Sequence, residues 1–174
     1  MNPLRTSLKR ICHSSIPRWT AVTLLALTWT SFAFCGEIHD AAQKGDAAKV
    51  EALLKAHPEL IFSRDNDGKT ALHVAAYAGQ KDVAALLLAN KSEVDAKNNE
   101  GDTPIILAAA LGHKDVVELL LDNHADINAK GKDGWNAWRW AKKNGHLELA
   151  AYLRQHGAKE CSSCAEPERS ASGP

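Results

Sequence analysis

Gly68-Lys69-Thr70-Ala71-Leu72-His73-Val74-Ala75-Ala76-Tyr77-Ala78-Gly79 returns 33 residues later as Gly101-Asp102-Thr103-Pro104-Ile105-Ile106-Leu107-Ala108-Ala109-Ala110-Leu111-Gly112. The two glycines recur again at Gly134 and Gly145, and Gly45 precedes Gly79 by 34 positions. Beyond each second glycine runs a segment that ends in a leucine cluster, Leu86-Leu87-Leu88 and then Leu119-Leu120-Leu121. Self-similarity at a fixed period of this size marks an array in which one small unit is stacked on copies of itself.

Each unit reads as two short helices and a turn. Thr70 and Thr103 stand where a helix needs an N-cap. Pro104 follows at the first helical position, where its missing N–H costs nothing. Gly79, Gly112 and Gly145 close that helix, because glycine takes the left-handed C′ conformation without a Cβ penalty. In the second helix Val83, Leu86 and Leu87, or Val116, Leu119 and Leu120, fall at i, i+3 and i+4 and share one face. Asp65-Asn66-Asp67-Gly68, Asn98-Asn99-Glu100-Gly101 and Gly131-Lys132-Asp133-Gly134 carry turn residues between units. Helices of about nine residues are marginal alone. Ala75-Ala76 and Ala108-Ala109 let neighbours approach and share one core, so stability accumulates by stacking.

A 33-residue unit with these elements in phase resembles the ankyrin repeat, over residues 37–158. The resemblance implies an all-α solenoid of about four helix-turn-helix units with β-turn tips, at about 37–63, 64–96, 97–129 and 130–158. The end units read as caps. Unit one carries His57-Pro58-Glu59-Leu60-Ile61 in place of the usual loop, and Lys142 and Arg154 put polar groups on the outer face of unit four. Ile106 and Arg139 replace the motif histidine, while Lys91 and His124 stand where the family has a capping glycine. A left-handed turn at a residue with a Cβ costs roughly 1–2 kcal/mol.

Composition agrees with one globular domain behind an N-terminal label. The chain has 174 residues, 45% of them apolar, with 21 basic and 21 acidic side chains. Residues 1–36 hold Arg5, Lys9, Arg10 and Arg18 and no acid, which leaves 17 basic and 21 acidic groups, a net −4, for 37–174. A mildly acidic body lacks the basic stripe that nucleic-acid binding requires. From Trp19 to Gly36 there is no charge, and Ala21-Val22-Thr23-Leu24-Leu25-Ala26-Leu27 forms an apolar centre. Basic residues followed by an apolar run read as a secretory signal, residues 1–33, cut after Ala33 or after Cys35. The alternative is an uncleaved membrane anchor over residues 19–36, short for ~30 Å of hydrocarbon. Both place residues 34–158 in an exported compartment, periplasmic or secreted, or anchored facing that side. Residues 159–174 read as a disordered tail.

Catalytic signals are weak, and neither an enzyme nor a cofactor is expected. The resemblance gives His39 and His73 the task of bracing the threonine turn. His113 and His146 follow the helix-closing glycines, and His57, His124 and His156 fall in loops. No histidine pair has the spacing of a helical zinc site, and no nucleophile elbow or phosphate loop occurs. Cys161-Ser162-Ser163-Cys164 reads as an exposed disulfide loop, a free thiol pair, or a redox pair on an accessory protein. One such motif is half a zinc site.

Ankyrin-like arrays bind proteins through the turn tips and the exposed side of each first helix. Carried over by position, the resemblance names Asn66, Asp67, Lys69 and Tyr77 in unit two, and Asn99, Glu100, Asp102 and Leu111 in unit three. Unit four supplies Lys132, Asp133, Trp135 and Asn144. Trp138 reads as core and Trp140 as helix packing, whereas Trp135, next to a turn glycine, reads as exposed. Acidic tips at Asp67, Glu100, Asp102 and Asp133 suit a partner with a basic strip. The expected function is non-catalytic binding of a partner protein by a monomer, with no nucleic acid, and with membrane contact only through an uncleaved residues 19–36.

Overall fold

The computed structural model describes residues 36–160. Residues 1–33, read above as a secretory signal, and the Cys161/Cys164 pair lie outside the described residues. Among the described residues there are eight helices and no strand. Helix α1 takes residues 36–44 and α2 Ala47–Ala56, followed by a 3₁₀ turn at Pro58–Phe62. Helices α3, Ala71–Ala78, and α4, Lys81–Ala89, form unit two. Helices α5, Pro104–Leu111, and α6, Lys114–Asp122, form unit three. After a 3₁₀ turn at Lys132–Gly134 come α7, Ala137–Lys143, and α8, Leu147–Gln155. None of these helices is long and apolar enough to cross a membrane.

The helix boundaries follow from capping chemistry. Thr70 and Thr103 precede α3 and α5 with extended backbones, and Pro104 is the first residue of α5. In the other units Asp46 Oδ1 accepts from Lys49 N–H at 2.9 Å and Asn136 Oδ1 accepts from Arg139 N–H at 3.1 Å. Gly79 and Gly112 end their helices at φ +70° and +78°. Space as well as φ demands glycine there. A Cβ on Gly79 would lie 2.6 Å from His113 Nδ1, and one on Gly112 2.6 Å from His146 Nδ1. Each histidine after a helix-closing glycine is thus packed on the glycine of the preceding unit. Lys91 and His124 keep the left-handed turn at φ +65° and +66° despite their side chains.

Units stack in two layers. Helix α3 packs on α5 and α5 on α7, while α2 packs on α4 and α4 on α6. Between the layers lies one continuous core that includes Leu72, Val83, Leu87, Ile105, Val116, Leu120, Trp138 and Leu153. The buried face of the second helices is rotated slightly from the expected one. Val83, Ala84 and Leu87 are buried in α4, and Val116, Val117 and Leu120 in α6, with Leu86 and Leu119 only half-buried at its margin. Ala84 and Val117 are both fully buried. The array ends on Trp138, which is buried with Lys142 and Arg154 over its ring at 5.2 and 5.4 Å from the centroid.

Candidate binding groove

Three turn tips line one edge of the array, each closed by the same pair of backbone bonds. Asp65 N–H donates to the Lys69 carbonyl, Asn98 N–H to that of Asp102 and Gly131 N–H to that of Trp135, at 2.9, 3.0 and 2.9 Å. Gly68, Gly101 and Gly134 each donate back to the first residue of their turn. Inside the first two tips a side chain braces the loop. Asp65 Oδ1 accepts from Asp67 and Lys69 N–H, and Asn98 Oδ1 accepts from Glu100 and Asp102 N–H.

The third tip has no such brace, because Gly131 has no side chain. Asp102 takes over from the neighbouring unit, and its Oδ1 accepts from Lys132 N–H at 3.0 Å. A Cβ on Gly131 would run into that carboxylate. Asp102 is only 5% exposed. It is therefore a framework residue joining units three and four, and its assignment to the binding surface is corrected.

Two acids of the tips, Asp67 and Glu100, are already matched. Lys69 Nζ is 2.9 Å from Asp67 Oδ2 and Lys132 Nζ 3.0 Å from Glu100 Oε1. The hydrogen bond to Asp67 raises the pKa of Lys69. Exposed ion pairs are worth little in stability, but each places a cation beside its acid at the tips. Asn66 and Asn99 are exposed, and Asn99 spans the tips, donating through its side chain to the Asn66 carbonyl and through its N–H to that of Asp67. Asp133 lies in the turn at Lys132–Gly134.

On the inner helices two apolar side chains stand out of the core, Tyr77 at 52% and Leu111 at 41% exposed. Tyr77, Ala110 and Lys143 are in register along the array at intervals of 33, as are Ala78, Leu111 and Asn144. Two bonds hold these rows together. His113 Nε2 lies 3.0 Å from the Tyr77 carbonyl, and Asn144 Nδ2 donates to the Ala110 carbonyl at 2.6 Å. Trp135 departs from its expected exposure and is half-buried. Its ring lies 5.0 Å from that of Trp140, with Arg139 and Lys143 at 4.5 and 4.6 Å from its centroid. The equivalent positions Lys69 and Asp102 are half-buried and buried in the same way.

The histidines are structural where their contacts are seen. His39 Nε2 lies 3.0 Å from the Lys69 carbonyl, and His73 Nε2 lies 3.1 Å from that of Asp102, so each joins its own unit to the next. His73 Nδ1 accepts from Thr70 N–H at 3.1 Å and lies 2.9 Å from Thr70 Oγ1. Only a neutral ring has that free lone pair. Burial pushes its pKa down to about 4, against an upward pull from the Asp102 carbonyl. In unit three Ile106 cannot play this part, and Thr103 Oγ1 is left buried without a hydrogen-bond partner. No group of three or more His, Cys, Asp or Glu side chains poised to hold a metal occurs among the described residues.

One pair of framework side chains escaped the sequence reading. Asn136 Nδ2 donates to the Lys159 carbonyl at 2.8 Å, and Asn128 Oδ1 accepts from Lys159 N–H at 2.8 Å. Together they strap residue 159 across units three and four. The signal available was asparagine in place of threonine at the N-cap of the last unit.

The family model for ankyrin repeats (3 copies) matches residues 38–131 and 91–164. The chain belongs to the ankyrin-repeat family. A search of curated proteins gave no match. Ankyrin repeats are in general protein–protein interaction modules and typically non-enzymatic.

Proposed function

We propose that the chain is an exported, non-catalytic adaptor that holds a partner protein in the groove between its turn tips and inner helices. The observation that carries this reading is the outward placement of Tyr77 and Leu111 on the face that stacking leaves uncovered. Large amphipathic side chains in such positions are favoured as interface anchors. Export rests on the order of basic residues and apolar run in residues 5–36. The test is capture of the partner from the exported compartment by the full chain, repeated with Tyr77→Ala. Truncating Tyr77 should weaken capture at least tenfold and shift the urea midpoint very little, since an exposed side chain contributes less than ~0.5 kcal/mol to stability. Undiminished capture would place the interface on another face. Mass spectrometry of the natively made protein tests export separately, through loss of about 33 residues.

A further inference from the structure

The charge of the array is strongly polarised along its axis. Unit three carries Lys97 and Lys114 against Glu100, Asp102, Asp115, Glu118, Asp122 and Asp126, a net −4. Unit four reverses this, with Lys130, Lys132, Arg139, Lys142, Lys143 and Arg154 against Asp133 and Glu148, a net +4. Two of those cations differ from the other groove lysines. Lys69 and Lys132 are matched to carboxylates, whereas Arg139 and Lys143 rest on tryptophan rings and form no ion pair among the described residues. Arg139 Nε is also buried without a hydrogen-bond partner. Aromatic faces hold cations in place but leave most of the charge uncancelled.

From this juxtaposition, and resting on the groove reading above, we propose that unit four receives an acidic segment of the partner protein. Its carboxylates meet Arg139 and Lys143, and an apolar side chain of the same segment covers Leu111 and Tyr77. The register sets the spacing. Lys143 is one stacked helix beyond Leu111 and two beyond Tyr77. Neighbouring helices lie ~8–10 Å apart, and an extended chain advances ~3.3 Å per residue. The carboxylates therefore follow the apolar residue by about three to six positions. A short polypeptide fits this better than a nucleic acid or an anionic membrane. A long polyanion laid along the groove would run past the cations of unit four onto α5 and α3, which carry no lysine or arginine to receive it.

The test is selection of random dodecapeptides on the immobilised full chain, at low salt and at about 0.15 M. The selected pool should be enriched in Asp and Glu placed about three to six residues from an apolar side chain. Binding should weaken about tenfold with Lys143→Glu, less with Lys143→Gln, and not with Lys81→Glu on the exposed start of α4. Replacing the peptide's acids by lysine should restore binding to the Lys143→Glu chain. Melting of each variant checks that it is folded. A pool without an acidic excess, no pool at all, or indifference to Lys143→Glu overturns the proposal. So does tighter binding of a single-stranded oligonucleotide or of phosphatidylglycerol vesicles than of the acidic peptides. Peptides that are lost on Tyr77→Ala but carry no acids leave the groove reading standing and overturn only its acidic half.

Discussion

Two threonines at equivalent positions should respond in opposite directions to the same substitution. Thr103 Oγ1 is buried with no hydrogen-bond partner among the described residues, because Ile106 stands where unit two has His73. An unsatisfied buried polar group costs ~1–3 kcal/mol, and replacing it by a group of the same shape recovers part of that. Thr103→Val exchanges the hydroxyl for a methyl of nearly equal volume. Its backbone, at φ −99° and ψ +163°, is one that valine adopts readily. The N-cap acceptor role is not lost, since no helix N–H uses this hydroxyl. We expect a gain of about 1 kcal/mol. Thr70→Val instead removes the oxygen that lies 2.9 Å from His73 Nδ1, inside a satisfied network. That should cost about 0.5–1.5 kcal/mol. The assay is urea unfolding of the full chain, followed by tryptophan fluorescence and circular dichroism. With m in the usual range of about 1–3 kcal/mol per molar urea, each change moves the midpoint by about 0.5 M, in opposite senses. Equal losses in both variants would refute the reasoning, because Thr103 would then have a hydrogen bond to lose.

Other outcomes follow from the same structure. Leu120 is fully buried within the continuous core, and Leu120→Ala should cost about 2–5 kcal/mol in the same assay. Lys91→Gly and His124→Gly each remove a strained left-handed turn at the expense of chain entropy, and each should stabilise by about 0.5–1 kcal/mol in a thermal melt. Wild-type stability should fall as pH drops from about 6.5 to about 4. In that window the unfolded chain protonates His73 while the folded chain refuses the proton, and the loss should reach about 3 kcal/mol before levelling off. Midpoints measured across this range should show a shallower slope for His73→Gln.

Much of the fold was legible because the elements that define it are local and repeat. Thr70, Gly79 and Leu87 announce a cap, a stop and a core position through their own chemistry, and the 33-residue period confirms each against its copies. Exposure on the inner helices was legible where a position acts alone, as Tyr77 and Leu111 do. Asp102 was misjudged because its burial depends on an absence in another unit, the missing side chain of Gly131. Trp135 was misjudged for a related reason. Its environment is set by Arg139, Trp140 and Lys143, which meet its ring only once α7 is folded. Residues whose role is decided by a neighbour's departure from the pattern are hidden from a reading that proceeds by pattern.

The seams between units are not equivalent. His39 and His73 rivet units one to two and two to three from within the core, but Ile106 leaves the seam to unit four without a rivet. That seam is held by the packing of α5 on α7 and the buried Asp102 brace, with Asn144 on Ala110 and the asparagine strap to Lys159 nearer the surface. In a linear array each seam energy decides which units unfold together. Amides of α7 and α8 should accordingly exchange with solvent through openings that leave α3 and α4 closed, at a free energy below that of global unfolding. A ligand seated on unit four closes this local opening, and its affinity is then felt as slower exchange across the whole last pair of helices.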